Sequence, residues 1–233
     1  TGKLVAITGA NGYLGSACVE IFLLRGHNVR ACVRGQTWVV DDFMEEASTK
    51  EFLRRNRGAA VMDPSWYGKK PDGHAPYKTL ESAAAAIAPE AFSIAGGCSL
   101  KSGFNEHAAF REAFKGCDAV VHTAMPMDHS GLVYDSEEYN RLREELIAAT
   151  EMVLEAAAAE GVYAFILTSS STAVMGRVVD GRVYNEKDWS DEQEGTSAYG
   201  MLKAAVERAA VQWHTKYSEK HGSPFRLCRI CPP

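Results

Sequence analysis

The feature that most constrains this chain is a glycine-rich turn near its start. The turn, TGANGYLG at residues 8–15, directly follows the short apolar run Leu4–Thr8, which is typical of a buried parallel strand. Its glycines have the spacing G-x-x-G-x-x-G. Gly9 permits a tight turn, Gly12 lets the backbone approach a pyrophosphate, and Gly15 lets the following helix pack closely on the sheet. The turn therefore predicts a dinucleotide site.

The helix predicted after the turn supports the same interpretation. Apolar residues recur at helical spacing from Tyr13 to Arg25, and Gly26 is a natural C-terminal cap. The first turn of a helix offers N–H groups and a partial positive charge, which favour an anion. We expect further cofactor contacts from the residues between the glycines, namely Asn11, Tyr13 and Leu14. The alternative is a glycine-rich turn that holds no ligand.

The end of the second strand favours NADPH over NAD. This strand is predicted at Asn28–Val33 and completes a β-α-β unit with a right-handed crossover. An NAD site usually has an acidic residue at this point, which binds the 2′-hydroxyl of the ribose. This chain has Arg34 there, and a guanidinium suits a 2′-phosphate. Arg30 is less well placed, and the alternative for Arg34 is a solvated surface side chain.

Strands and helices alternate along the rest of the chain, with one long interruption. Residues 36–91 contain two candidate helices, Asp41–Asn56 and Leu80–Ile87, and a candidate loop at Asp63–Tyr77. A crossover usually needs far fewer residues. We therefore interpret 36–91 as an insertion at one edge of the sheet, within a dinucleotide-binding domain that covers residues 1–233.

The order of the elements after the insertion predicts the fold class. Further strands are predicted at Phe92–Ala95, Ala119–Thr123, Ala164–Thr168 and Phe225–Ile230, and further helices at Ala108–Phe114, Glu137–Glu160 and Ala198–His221. Strands that alternate with helices at this spacing indicate an α/β fold with a doubly wound parallel sheet. With the glycine turn after its first strand, the sheet is expected to be of the Rossmann type.

A tyrosine and a lysine lie on one face of a predicted helix. Tyr199 and Lys203 are four residues apart, and a neighbouring ammonium favours the tyrosinate. Such a tyrosine can give or take a proton near neutral pH, and the lysine can also hold the hydroxyls of the nicotinamide ribose. The spacing alone is common on helix surfaces, so its weight comes from its position in the chain.

A run of hydroxyl side chains, TSSST at residues 168–172, ends the predicted fifth strand. Groups beyond the carboxyl end of a parallel strand face the ligand crevice. One of these hydroxyls can donate a hydrogen bond to a substrate carbonyl and stabilise a developing alkoxide. An ordinary polar loop is the alternative. Together with the glycine turn and the Tyr–Lys pair, the run predicts an oxidoreductase.

Composition and charge exclude several classes of function. The net charge of −5 argues against nucleic acid as the main partner, and no apolar run reaches the ~18 residues that a transmembrane helix needs. The six cysteines lie mostly in apolar runs, which indicates a reducing compartment, either the cytoplasm or the interior of an organelle. Cys228 and Cys231 form a C-x-x-C in a strand predicted to be buried, so we interpret them as structural and expect no metal.

At this point the chain resembles a known family. It is similar to the extended short-chain dehydrogenases/reductases, and among them to the dihydroflavonol reductase and cinnamoyl-CoA reductase group. The similar stretches are TGANGYLG (8–15), VRACVRG (29–35), FKGCDAVVHTAMPMD (114–128), FILTSSSTAVM (165–175), VYNEKDWSD (183–191) and YGMLKAAVE (199–207). They occur in the right order and span the chain except for the insertion.

The resemblance implies NADPH-dependent reduction of a carbonyl group on a small, often aromatic, substrate. It implies that Tyr199 is the proton donor, that Lys203 is its partner, and that Ser170 is the catalytic serine, with Ser171 as the neighbouring alternative. His122 belongs to the segment that matches the nicotinamide side of the family's site, but it is expected to pack beside the fourth strand. The remaining residues that the resemblance places along the cofactor are Thr123, Ala124, Pro126, Thr168 and Pro232.

The chain also departs from this family. Residues 96–103 lack the aspartate that usually contacts adenine, and the insertion falls next to the adenosine half of the site, where it can cover the site or bind a protein partner. Family members continue past the point that corresponds to Pro233, so we expect a truncated or unseen C-terminal substrate region. The chain also lacks an initiating Met, so we expect either a removed leader or a start that lies before Thr1.

Two other functions stay open on the sequence. The insertion and the missing aspartate favour a non-catalytic nucleotide-binding subunit that serves a structural role in a larger complex. An epimerase or dehydratase that acts on a nucleotide sugar uses the same tyrosine and lysine. Arg34 and the DWSD segment at residues 188–191 point away from this last alternative.

Overall fold

The computed structural model describes residues 2–35, 91–100, 104–125, 132–176, 181–222 and 224–232. The strands of this part of the chain are β1 (Leu4–Thr8), β2 (Asn28–Cys32), β3 (Phe92–Ala95), β4 (Ala119–His122), β5 (Ala164–Thr168) and β6 (Arg226–Ile230). Its α-helices are α1 (Tyr13–Leu24), α2 (Phe104–Phe114), α3 (Glu137–Ala159) and α4 (Ala198–His221). Two short 3-10 turns lie at Ser171–Ala173 and Ser190–Glu192. The predicted insertion lies outside the described residues, apart from Ala91.

The six strands form one parallel sheet in the order β3-β2-β1-β4-β5-β6. The chain builds the sheet outward from β1 to β3, then crosses back and builds it in the other direction from β4 to β6. This reversal between β1 and β4 is the switch point of a doubly wound sheet, where a crevice opens at the carboxyl ends of the strands. The structure thus confirms the predicted Rossmann-type fold.

Alternating side chains of the strands build two cores, one on each face of the sheet. Ile7 of β1 and Val121 of β4 belong to the core that α1 covers with Val19. Val120 and Phe165 belong to the other core, to which α2, α3 and α4 all contribute. Each fully buried side chain of this size stabilises the fold by about 1.5–3 kcal/mol. The period-2 alternation along the strands therefore decides which residues of a strand face each core.

The sixth strand corrects one prediction. We expected Phe225–Ile230 to be buried, but Cys228 and Ile230 are exposed. The reason is that β6 is the last strand in the sheet order, and only the face that carries Leu227 packs against the core. Cys32, Cys98 and Cys117 are buried as expected, and all six cysteines are free thiols.

The predicted helix at Ala108–Phe114 begins one turn earlier, at Phe104, where Glu106 lies in the first turn and suits the positive end of the helix. None of the helices that the structure describes has an apolar stretch long enough to cross a bilayer. The same residues contain no group of three or more His, Cys, Asp or Glu side chains arranged to hold a metal ion.

Candidate active site

The glycine turn between β1 and α1 is so tight that two of its glycines cannot carry a side chain. Gly9 has a φ of 62°, in the left-handed region, and its carbonyl accepts a hydrogen bond of 2.9 Å from the N–H of Gly12. A Cβ on Gly15 would lie 2.7 Å from the carbonyl carbon of Gly9 and 2.8 Å from the Cα of Ala10. The first turn of α1 is therefore pressed against the end of β1, as the sequence predicts.

The amino end of α1 differs from those of the two long helices. The side chains of Ser136 and Ser197 cap α3 and α4 by accepting backbone N–H bonds. The cap position of α1 is Gly12, which has no side chain to do this, and the first turn of α1 contains no acidic residue. Together with the glycine spacing, this donor set fits a diphosphate. Asn11 is half-buried in this turn, and Leu14 is exposed beside it.

Thr8 connects the glycine turn to the end of β4 through hydrogen bonds. The hydroxyl of Thr123 donates a 2.6 Å hydrogen bond to the carbonyl of Thr8, and the N–H of Ala124 donates to the Thr8 hydroxyl at 3.3 Å. A Cβ on Gly9 would lie 2.8 Å from the Cα of Ala124. The structure therefore places Thr123 and Ala124, two predicted cofactor contacts, directly against the turn. Pro126 lies outside the described residues.

His122 lies beneath these contacts, in the interior of the sheet. Only 4 % of its surface is exposed, its Nδ1 is hydrogen-bonded to the Thr8 hydroxyl at 2.8 Å, and its ring lies 5.7 Å from that of Phe165. Burial lowers the pKa of His122 from 6.5 to about 4, and the nearby charge of Lys203 acts in the same direction. His122 is therefore neutral and structural at neutral pH.

The two arginines near the end of β2 have different surroundings in the structure. Arg30 points toward the carboxyl end of α2, where its Nη1 donates to the carbonyls of Ala113 at 2.9 Å and Lys115 at 2.8 Å. Arg34 follows β2 and is exposed. The N–H of Val33, the residue before it, donates to the carbonyl of Ala95 at the end of β3, and the carbonyl of Val33 accepts from the N–H of Cys98. Arg30 is thus held at the end of α2, and the role of Arg34 toward a phosphate stays a prediction.

The serines follow directly after the carboxyl end of β5. Ser170 is 8 % exposed, and its Oγ accepts hydrogen bonds from the N–H of Thr172 at 3.3 Å and from the Thr172 hydroxyl at 2.9 Å. A hydroxyl that accepts in this way keeps its own proton for donation. Ser171 is half-buried, and its N–H donates to the carbonyl of Pro232 at 2.7 Å. The structure thus brings Pro232, from the end of β6, to the serine segment.

The first turn of α4 packs on this serine segment at Gly200. A Cβ at Gly200 would lie 3.0 Å from the carbonyl oxygen of Thr172. Tyr199, the neighbouring residue, is half-buried at this junction. We did not single out Gly200 from the sequence, although a glycine in the first turn of a strong helix pattern is a signal of close packing, because glycine weakens helices.

Lys203 lies one helical turn after Tyr199 and is almost completely buried, with 6 % of its surface exposed. Its Nζ donates to the carbonyl of Thr168 at 3.2 Å and lies 3.3 Å from Sδ of Met125. Burial lowers the pKa of Lys203 to about 8, although the carboxylate of Glu207 opposes this change. The ammonium therefore lies at the carboxyl end of β5. The glycine turn follows the carboxyl end of β1, at the same edge of the parallel sheet.

Gln193 holds the loop before α4 against the segment that follows the serines, a role that the sequence analysis missed. Its Nε2 donates to the carbonyl of Val174 at 2.8 Å and to that of Trp189 at 2.9 Å, and its Oε1 accepts from the N–H of Gly176 at 3.1 Å. These bonds fix the entry into α4, and with it the position of Tyr199. No local pattern in the sequence predicts them.

Residues 98–232 match the model of the NAD dependent epimerase/dehydratase family. This is more than half of the chain. The chain belongs to this family. The matched region contains β4, β5, β6 and the whole Ser–Tyr–Lys arrangement, whereas the glycine turn precedes it.

Two curated plant proteins are similar to this member of the epimerase/dehydratase family. Cinnamoyl-CoA reductase 1 of Petunia hybrida is 26% identical over 211 residues, which cover 88% of this chain and 48% of the relative. Dihydroflavonol 4-reductase of Arabidopsis thaliana is 26% identical over 231 residues, with 96% and 47% covered. These relatives confirm the resemblance stated above. The chain spans about half of the length of the curated relatives it matches.

Solved structures of reductases have the same fold as this family member. Yeast methylglyoxal/isovaleraldehyde reductase, complexed with NADPH, matches with a TM-score of 0.62 and 19% identity over 98% of this chain and 57% of the other. Vestitone reductase from alfalfa matches with a TM-score of 0.56 and 20% identity over 97% and 55%. At this identity the likeness concerns the fold.

Substitution by alanine is expected to change the free energy of unfolding by different amounts at Gly12 and Gly15, the two glycines at the start of α1. Gly15→Ala should lower the free energy of unfolding by about 1–3 kcal/mol, because its Cβ meets backbone that cannot move. Gly12→Ala should cost less, since its φ is −77° and its Cβ would meet only the Gly9 carbonyl oxygen, at 3.1 Å. Urea unfolding of both variants measures this, and equal losses would contradict the packing argument.

Proposed function

We propose that this protein is an NADPH-dependent reductase of a carbonyl group on a small molecule, with aromatic aldehydes, ketones and thioesters as the first candidates. The observation that carries the proposal is the junction of α4 with the end of β5. There Tyr199 is held against the serine segment through Gly200, and the buried ammonium of Lys203 lies one turn away. The names of the plant relatives support the substrate class.

The residues that would hold NADPH lie along the carboxyl edge of the sheet. The N–H groups of the first turn of α1 would bind the diphosphate, because no side chain caps them. Arg34 would bind the 2′-phosphate, and Lys203 the ribose next to the nicotinamide. NADPH, when bound, supplies the hydride. The solved complex of the yeast reductase with NADPH supports this choice of cofactor.

The proton and the hydrogen bonds come from the chain itself. Tyr199 donates the phenolic proton to the carbonyl oxygen of the substrate, and the Lys203 ammonium stabilises the tyrosinate that results. Ser170 donates its free hydroxyl proton to the same oxygen, which stabilises negative charge as it develops. Ser171, one residue further along the same 3-10 turn, is the alternative donor.

The preference for NADPH is expected to depend on Arg34. Arg34→Gln should weaken NADPH binding about tenfold and leave NADH binding unchanged, because only NADPH carries the 2′-phosphate. Fluorescence titration with both coenzymes measures this. Arg226→Gln is a matched control, since Arg226 lies over the ring of Tyr163 at the opposite end of the sheet. An unchanged ratio of the two affinities in Arg34→Gln would exclude the assigned role.

Oxidation of NADPH by the full-length protein, with a panel of aldehydes, ketones and thioesters, tests the reductase itself. We expect turnover with at least one aromatic member of the panel. Tight NADPH binding without oxidation by any member would reject the reductase and favour the non-catalytic nucleotide-binding subunit instead. Turnover of a nucleotide sugar without net NADPH consumption would favour the epimerase class.

A further inference from the structure

A buried carboxylate lies directly behind the Tyr–Lys pair. Glu207 is only 2 % exposed, and it follows Lys203 by four residues on α4, as Lys203 follows Tyr199. Residues at this spacing lie on the same face of a helix. Glutamate is almost never fully buried unless it is paired, because an isolated charge in the interior is costly. The position of Glu207 therefore requires an explanation.

The partner of Glu207 comes from β6. Arg229 Nη1 lies 2.6 Å from Oε1 of Glu207, and the same guanidinium lies over the ring of Trp189 at 5.2 Å and donates to the carbonyl of Glu186 at 3.5 Å. The thiol of Cys231 donates to Oε2 of Glu207 at 3.8 Å. Both carboxylate oxygens are thus occupied, and the side chain is held in one place.

An imidazole, a thiol and a carboxylate are the groups that act on Lys203 from neighbouring strands and from its own helix. Neutral His122 faces it from β4, and the thiol of Cys231 faces it from the end of β6. The carboxylate of Glu207 raises the pKa of Lys203 and so opposes burial, which lowers it. Without this carboxylate, a buried ammonium at neutral pH would have no full negative charge among these neighbours.

We propose that Glu207, held in place by Arg229, is a positioning residue that keeps the Lys203 ammonium charged beside Tyr199. Its catalytic significance rests on the proposed reductase, whereas its electrostatic effect on Lys203 does not. Glu207 acts through Lys203 and does not touch the substrate. The ion pair would also hold α4 against β6 close to Lys203. The position of the ammonium relative to the sheet would then be fixed.

The test is a side-chain NMR titration of Lys203 in the full-length protein, with the signal assigned through Lys203→Met. Glu207→Gln should lower the pKa of Lys203 by about one unit, because the amide is neutral. Arg229→Met should leave the pKa unchanged or raise it, because it removes a positive charge and keeps the carboxylate. General disturbance of the packing would instead move both variants in the same direction, and this outcome would overturn the proposal.

A matched control and a fold control complete the design. Glu219→Gln, at an exposed position on the same helix, should leave the titration of Lys203 unchanged. If either single variant fails to fold, the double variant Glu207→Gln/Arg229→Met removes both partners of the buried pair and is expected to fold. It should again lower the pKa of Lys203, and an unchanged value there would overturn the proposal.

Enzyme kinetics separate the two proposals from each other. If the protein reduces carbonyls, the alkaline limb of kcat/KM in Glu207→Gln should move to lower pH by the same amount as the Lys203 titration, with NADPH binding at acidic pH retained. A limb that stays in place would overturn the catalytic part of the proposal. The expected NMR shift in a protein without any turnover would instead reject the reductase and support the electrostatic role of Glu207.

Discussion

Tyr199→Phe is expected to lower carbonyl reduction by about 10²–10⁴-fold, because it removes the only proton that the phenol can donate and leaves the ring in place. The ring keeps its packing at the junction of α4 with the serine segment, so the fold and the affinity for NADPH should stay near their wild-type values. The loss should therefore appear in kcat and not in the dissociation constant of the coenzyme. Steady-state NADPH oxidation and a coenzyme titration measure the two quantities.

Tyr163→Phe is the matched control for this change. Tyr163 precedes β5, so it lies at the amino end of the strand whose carboxyl end carries the serines, and it is exposed. Turnover of this variant should equal that of the wild type. If Tyr199→Phe retained full activity, proton donation by this side chain would be excluded.

The free energy of unfolding is expected to fall by about 3 kcal/mol between about pH 7 and pH 4 through His122 alone. The pKa of this side chain is lowered from 6.5 in the unfolded chain to about 4 in the folded protein. As the pH falls through this range, the unfolded chain takes up a proton that the folded protein does not, so unfolding becomes more favourable. The contribution is complete above pH 6.5 and is lost as the pH approaches 4.

Urea unfolding at a series of pH values measures this contribution by comparing the wild type with His122→Gln. The variant should be less stable at pH 7, because it loses the contact with Phe165, and its stability should change less between pH 7 and pH 4. His221→Gln, at the exposed end of α4, should keep the pH dependence of the wild type. Equal slopes for His122→Gln and the wild type would show that His122 is not held neutral by the fold.

The sequence predicts the fold well, because the signals that build it are local. The run Leu4–Thr8 and the helix Ala198–His221 have the predicted bounds, and the parallel sheet follows from the alternation of strands and helices. Ser136 and Ser197, which cap α3 and α4, are further local signals that the sequence analysis did not use. The exposure of β6 was missed, because it depends on which strand is last in the sheet order.

The candidate site is predictable only in part. The sequence brings Tyr199 and Lys203 together by helix spacing and predicts that the serine segment faces the same crevice, and the structure shows that α4 packs on that segment at Gly200. The roles of these residues in catalysis and in cofactor binding stay predictions. The ion pair between Glu207 and Arg229 joins α4 to β6, and the contact of Gly200 with Thr172 joins α4 to the 3-10 turn. Such contacts depend on tertiary packing, which no spacing within a single element encodes.

The bonds around Thr8 have a consequence for ligand binding. Its hydroxyl and its carbonyl join β1 to β4 at the point where the direction of the sheet reverses. These three hydrogen bonds join the ends of the two strands in the folded protein, before any ligand binds. A ligand that lies against these strand ends would lose little affinity to ordering the protein there, because the bonds are already formed. Thr8→Val keeps the shape of the side chain and removes the two hydrogen bonds of the hydroxyl, whereas the bond from Thr123 to the Thr8 carbonyl remains.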